Sequence, residues 1–349
     1  MQQIVSRLQL PLWLSLAVLA AFPLFELTFY TELLTKIMIM AIFAMSLDLL
    51  VGYTGLVSLG HAAFFGLAGY TLALIAPQYE AANLWLTLGV AILVSALAAL
   101  VIGLFVLRTK GVYFIMVTLA FAQMFYFVFH DTDLGGGSDG LFLYFKPDAA
   151  IAGFKPFDLE NTLHFYYFVL ISLVVSYFLL CRILRSPFGH ALVGIKTNEH
   201  RMQSLGYPVF YYKLASFAIG GSLAGFAGYL SACQYGFVNP EILSWHQSGS
   251  VLLMVILGGQ GAFYGAAIGA FVFVLLQEFL SSLTKHWQLF MGVIIVLLVL
   301  YLPGGLRSIG PLLRASLLGK TANVKPPAGN DPPDIAQEES ANDRSDSLH

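Results

Sequence analysis

Few residues in this chain are of types that do chemistry, and those few are scattered. Asp48, His61, Thr118, Gln123, Gln277 and Glu278 stand inside or beside long apolar runs. Ionisable groups so placed are costly in lipid and usually face a bundle interior. A proton relay would string them along several runs. Here they are sparse and lie mostly near run ends, which argues against proton coupling. No His-Glu-x-x-His pattern, Cys/His metal spacing or Gly-x-Ser-x-Gly elbow occurs. Gly319-Lys320-Thr321 comes nearest to a nucleotide loop, but Arg314 stands five residues before that glycine, where the Walker pattern needs another. The chain is therefore read as no enzyme and as binding no cofactor itself, and any ATP that drives it is hydrolysed on another polypeptide. Ser58, His61, Thr118 and Gln123 are the candidates for lining a translocation path. The plainer alternatives are an interhelical hydrogen bond for Gln123 and a helix-start contact with a neighbouring carbonyl for His61. Asp48 is neutral or paired on either reading. Cys181 and Cys233 read as buried small hydrophobes, not a disulfide or metal pair.

The elements that must position these residues are membrane spans. Of 349 residues, 58% are hydrophobic and 10% charged, where soluble domains carry about 25% charged residues. The apolar residues fall in runs long enough to cross about 30 Å of hydrocarbon as helices. The expected fold is an all-α membrane protein with about ten transmembrane elements, near 11–29, 33–51, 59–76, 84–107, 112–130, 163–184, 211–233, 247–259, 262–282 and 287–302. The first follows Arg7 without a small-residue cleavage signature and reads as a retained span. The eighth is short, and Gly258-Gly259-Gln260-Gly261 closes it, so a broken or re-entrant element is expected there. A net charge of −2 gives nucleic-acid binding no support.

Loop charges orient the spans. The segment 182–213 holds Arg182, Arg185, Lys196, Arg201 and Lys213 against Glu199 alone, and Arg108 and Lys110 mark another basic turn. The 131–162 loop is acidic, with Asp131, Asp133, Asp139, Asp148, Asp158 and Glu160. Placing the basic loops in the cytoplasm requires an odd number of crossings between Asn239 and Arg307. That supports the short eighth element and puts both termini inside. A transmembrane domain over 1–310 is then followed by a polar stretch, 311–349, whose composition cannot offset ordering entropy and reads as a disordered cytoplasmic tail.

Two glycine-rich stretches interrupt this pattern. Residues 52–60 hold Gly52, Gly55 and Gly60 among small hydroxyls, fitting either an unwound segment at membrane depth or a tight turn between spans. A similar density recurs at Gly220, Gly221, Gly225 and Gly228, hinting at two related halves or simply at close helix packing. The basic loop itself has structure written into it. Ser186 before Pro187 suits a helix start, Leu192, Ile195, Met202 and Leu205 suit short amphipathic helices, and Gly206 suits a stop. Such an element either rests on lipid headgroups or docks a cytoplasmic partner.

Three blocks resemble a known family. They are Val51–Gly66; Gly111–Met124 with Gly136-Gly137-Ser138-Asp139-Gly140-Leu141 downstream; and Ser186–Tyr207 with the glycine-rich span after it. They are similar to the membrane permease subunit of branched-chain amino acid ABC importers, the larger of that system's two permease types. The resemblance covers roughly residues 35 to 305. It implies a type II ABC importer bundle in a bacterial inner membrane. It also implies four kinds of partner: a second homologous permease subunit, two cytoplasmic ATPase subunits that carry the ATP, a periplasmic solute-binding protein facing 131–162, and the lipid bilayer. The 186–207 loop corresponds to the ATPase-facing coupling element, with Ser186, Gly189, Asn198, Glu199 and Gly206 as its coupling residues. Related permeases carry urea or short amides; the second block looks more like the amino-acid branch. A stand-alone carrier or a membrane-embedded enzyme remain the alternatives from other classes.

Overall fold

The computed structural model describes residues 16, 19–25, 28–77, 79–150, 157–302 and 304–306. The expected tail, 311–349, lies outside them, as do residues 11–15, 17–18 and 26–27 of the expected first span. Eleven helices are described here: α1 Thr28–Asp48, α2 His61–Ile75, α3 Leu84–Val106, α4 Val112–Asp131, α5 Thr162–Arg185, α6 Pro187–Thr197, α7 Glu199–Ser204, α8 Val209–Tyr235, α9 Trp245–Gly258, α10 Phe263–Leu283 and α11 Trp287–Tyr301. A short antiparallel pair, β1 Leu141–Phe142 and β2 Phe237–Val238, ties the 131–162 loop to the end of α8.

Local chemistry sets the ends of these helices. Asn83 accepts from the Trp85 and Leu86 amides to start α3, and Asn161 accepts from the Leu163 amide to start α5. These are side-chain caps on otherwise orphaned helix donors. The membrane interior then favours helix, since each backbone polar group must be satisfied within the chain. Six of the described segments are long and apolar enough to cross a bilayer: 28–54 and α3, α4, α5, α8 and α10. The protein is thus a multi-pass membrane protein. α2, α9 and α11, of 15, 14 and 15 residues, reach only about 22 Å at 1.5 Å per residue.

Burial separates inner from outer helices where hydrophobicity alone does not. The most apolar stretch of 28–54 is 89% buried, and that of α8 67%, whereas in α4 the figure is 22%. α1 and α8 therefore form the centre. α1 packs on α5, α8, α9 and α10, and α8 packs on α2 and α3. The glycines of α8 make the approach possible. A methyl on Gly228 would lie 1.8 Å from the Phe65 carbonyl oxygen, and one on Gly221 2.5 Å from the Ala99 Cβ. Leu86, Leu93, Leu97, Val101 and Phe105 line the exposed face of α3, consistent with lipid contact.

Candidate functional site

The centre of interest is the end of α1, where the helix breaks. After Asp48 the backbone widens into a π-helical turn, Leu49–Thr54, and from Gly55 to Gly60 it is irregular until α2 starts at His61. Of the two expectations for 52–60, the structure shows part of each: the helix continues through Thr54, and the rest is unwound. π-Turns and irregular backbone free amides and carbonyls that lipid cannot satisfy. The surrounding elements supply their partners.

Three of these contacts involve pathway candidates. The Leu59 amide donates to Thr118 Oγ1 on α4 at 3.2 Å, and the Gly60 amide donates to Ser58 Oγ at 3.2 Å. His61 Nε2 lies 2.9 Å from Ser46 Oγ on α1. Ser46 directs its one hydroxyl proton at the Phe43 carbonyl, 2.7 Å away. The contact with Ser46 engages the ring at Nε2, and Nδ1 is buried without a hydrogen-bond partner among the described residues. Ser248 on α9, absent from the sequence expectations, accepts from the Ala62 amide at 3.0 Å. Ser58, His61, Thr118 and Ser248 are all at most 1% exposed. Their hydrogen bonds brace the break. Gln123 is not brought to them: five residues beyond Thr118, it lies about 140° round α4.

On its other side the break is tied twice to one distant segment. Asp48 Oδ1 accepts from the Gly261 amide at 2.9 Å, and Tyr53 Oη donates to the Gly261 carbonyl at 2.9 Å. The α9–α10 turn that ends the short ninth helix is thus held at both amide and carbonyl. Gly261 has φ +76°, which a side chain would strain. Gly52 is required for a different reason. A methyl there would lie 2.3 Å from Asp48 Oδ1 and 2.5 Å from the Gly261 nitrogen.

The third tie comes from the 186–207 loop, which folds as α6 and α7. Lys196, at the end of α6, donates from Nζ to the Gly52 carbonyl at 2.7 Å and to that of Val51 at 3.4 Å. An ammonium thus meets carbonyls of the π-turn, a charge-assisted contact of the stronger kind. Lys196 was one of five basic residues in its loop, and nothing in the sequence set it apart. Its partner is a backbone atom 144 positions away.

The expected loop residues divide the work of shaping this element. Ser186 precedes Pro187 at the helix start as expected, but its hydroxyl donates back to the Ile183 carbonyl at 2.6 Å and closes α5 instead of capping α6. At Gly189 a methyl would lie 2.4 Å from Leu184 Cα, so the tight α5–α6 corner needs glycine. Asn198 caps α7, accepting from the Arg201 amide at 2.9 Å. Gly206, with φ +84°, turns the chain towards α8. Glu199 staples the loop to the bundle: Oε2 is 2.9 Å from Lys213 Nζ on α8 and Oε1 is 3.6 Å from Lys110 Nζ beyond α3. Burial alone would raise the Glu199 carboxyl, but the bond and charge of Lys213, with Lys110, outweigh it and hold the group below its ordinary value. The loop leaves Val193, Leu205 and Tyr207 exposed, and so is Tyr211 in the first turn of α8.

Residues 29–301 match the family described as the permease component of branched-chain amino acid transport systems. The high-affinity branched-chain amino acid transport system permease protein LivM of Salmonella typhimurium is 30% identical over 329 residues, covering 89% of this chain and 76% of the relative. LivM of Escherichia coli is 32% identical over 313 residues, covering 84% and 73%. The autoinducer 2 import system permease protein LsrC of Klebsiella pneumoniae is 31% identical over 130 residues, covering only 35% and 38%. No solved structure matches the chain.

Proposed function

The chain belongs to the family of permease components of branched-chain amino acid transport systems, and from that premise we propose how it works within such an importer. It is the membrane-spanning subunit, and the ATPase is a separate polypeptide. The proposed cargo is a branched-chain amino acid, imported across a bacterial inner membrane. ATP is held by two cytoplasmic ATPase subunits that dock on the outer face of α6–α7, and this chain binds no cofactor. A second, homologous permease completes the membrane unit. A solute-binding protein delivers cargo to the 131–162 side, and both termini lie in the cytoplasm.

The observation that carries this reading is the Lys196–Gly52 contact. The loop presents apolar and aromatic side chains outward and grips the broken end of α1 inward. Motion imposed on its outer face therefore reaches the π-turn directly. From there it passes through Asp48 and Tyr53 to the α9–α10 turn, and through the 55–60 segment to α2. Packed elements with discrete arrangements transmit small shifts in this way. In this proposal the break is the moving part, and Ser58, His61 and Thr118 set its resting geometry.

The test is uptake by reconstituted vesicles. The four-subunit complex with its binding protein should accumulate radiolabelled leucine only when ATP is supplied to the ATPase side. ATP-independent accumulation by this chain alone would instead make it a self-sufficient carrier and sink the subunit assignment.

A further inference from the structure

A cavity of about 280 Å³ opens far from these contacts, at the end of the bundle that carries the 131–162 loop. It is near the lower bound of small-ligand pockets, about 300–1,000 Å³. Its walls bring together Glu32 and Lys36 from the first turns of α1, Glu278 from α10 and Lys146 from the loop. Among the described residues of its wall, two carboxylates and two ammonium groups thus sum to a formal charge of zero. Among the described residues no ion pair joins any two of them. Glu32 is exposed and Lys36, Lys146 and Glu278 are partly exposed, and beside an apolar bundle each still favours a partner of opposite sign. Phe165 lies in the same wall, with Lys146 Nζ 5.0 Å from its ring centroid. Gln234 donates to the Glu32 carbonyl at 2.9 Å, while its Oε1 has no partner.

We propose that this cavity binds a small zwitterion, with Lys36 and Lys146 taking its oxyanion and Glu32 and Glu278 its ammonium. A lone anion or cation would leave two like charges of the wall uncompensated; one molecule carrying both signs satisfies all four. The position gives the site a consequence. α1 runs from Glu32 and Lys36 at the cavity to Asp48 and the π-turn at its other end; Asp48 lies about 24 Å from Glu32 and about 18 Å from Lys36 along one helix. Occupancy of the cavity and the state of the break therefore bear on the same rod.

Two sources supply this chemistry: a free amino acid, and the ethanolamine headgroup of a phospholipid. The choice of leucine as the first probe rests on the importer reading; the site does not. The assembled transporter, without solute-binding protein, is placed in nanodiscs of phosphatidylglycerol alone. Saturable binding of labelled leucine is expected, weakened roughly ten- to a hundredfold by Lys36→Gln or Glu278→Gln, the loss of one hydrogen bond to a charged group. Lys36→Arg and Glu278→Asp should retain most of it. Leucinol and 4-methylpentanoate, each lacking one charge, should compete at least about tenfold less well. In the second arm, phosphatidylethanolamine retained through purification is counted by native mass spectrometry in the same variants. Retention by the wild type and loss in both neutralising variants assigns the site to lipid. If neither leucine nor phosphatidylethanolamine binding changes in the variants, the proposal is wrong. A complex that still imports leucine in that case leaves the permease reading intact. A complex that imports no amino acid removes the permease reading, and the lipid arm still decides the cavity.

Discussion

Replacing Lys196 with methionine isolates the contact on which the transmission argument depends. Methionine keeps an unbranched stem over Gly55, where the Lys196 Cγ lies 3.3 Å from the position of an added methyl. It removes only the ammonium that holds the Gly52 carbonyl at 2.7 Å and the Val51 carbonyl at 3.4 Å. A hydrogen bond to a charged donor contributes about 1.5–3 kcal/mol net. Losing it shifts the balance between gripped and released break by roughly ten- to a hundredfold. Docking is expected to survive, because the exposed Val193, Leu205, Tyr207 and Tyr211 are untouched by the substitution. In proteoliposomes of the complete complex, leucine uptake and ATP hydrolysis are measured together. Uptake per ATP hydrolysed should fall about tenfold or more, while basal hydrolysis and co-purification of the ATPase subunits persist. Arginine, which keeps a donor there, should recover part of the ratio. A Lys196→Met complex that moves as many leucines per ATP as the wild type would refute transmission through this contact.

Other substitutions test neighbouring steps. Gly52→Ala places a methyl 2.3 Å from Asp48 Oδ1 and must open the Asp48–Gly261 bond, at about 1–3 kcal/mol of overpacking; uptake should drop while the protein still inserts, and normal uptake would contradict the geometry. For Glu199 the carboxyl sits below its ordinary value of 4.5. Its contribution is therefore complete above that pH and disappears as pH falls through the lowered value. Glu199→Gln should lower thermal stability in detergent by at most about 1 kcal/mol at neutral pH, with the difference shrinking in high salt and vanishing only in acid; a difference that instead peaked in acid would reverse the sign argued here. Gly228→Ala forces a methyl to 1.8 Å from the Phe65 carbonyl oxygen and should cost about 1–3 kcal/mol or more, read as a lower unfolding temperature. Gly249→Ala on α9 meets nothing within 4 Å and serves as the neutral or slightly stabilising comparison.

Much of the architecture was legible because hydrocarbon imposes a length on apolar runs, and these runs announce themselves without tertiary context. The short α9 was legible too, since Gly258-Gly259-Gln260-Gly261 stops a helix before it can cross. The loop residues were found by their local grammar: Pro187 at a helix start, Asn198 before a short helix, Gly206 after one. What that grammar could not supply was the direction of a side chain. Gln123 and Thr118 are both polar residues in one apolar span, and only the packing of α4 shows that Thr118 turns inward. Lys196 sat among five basic residues whose common function was to mark a side of the membrane. Its individual role depends on a carbonyl that the π-turn exposes.

The two glycine stretches show most plainly where sequence stops discriminating. At 100° per residue, Gly52, Gly55 and Gly60 would span an arc of about 140° on a regular helix, and Gly220, Gly221, Gly225 and Gly228 span the same arc. Spacing therefore fits close helix packing equally well in both. In α8 that is the outcome, with the glycines set against Phe65, Ser95 and Ala99. At 52–60 the helix gives way, and the difference lies outside the stretch itself. Thr118, Ser248 and Lys196 satisfy backbone groups at the break, whereas the glycines of α8 face the close-packed Phe65, Ser95 and Ala99. A glycine-rich span breaks where its neighbours offer it partners. The partners therefore identify the broken segment better than the glycines do.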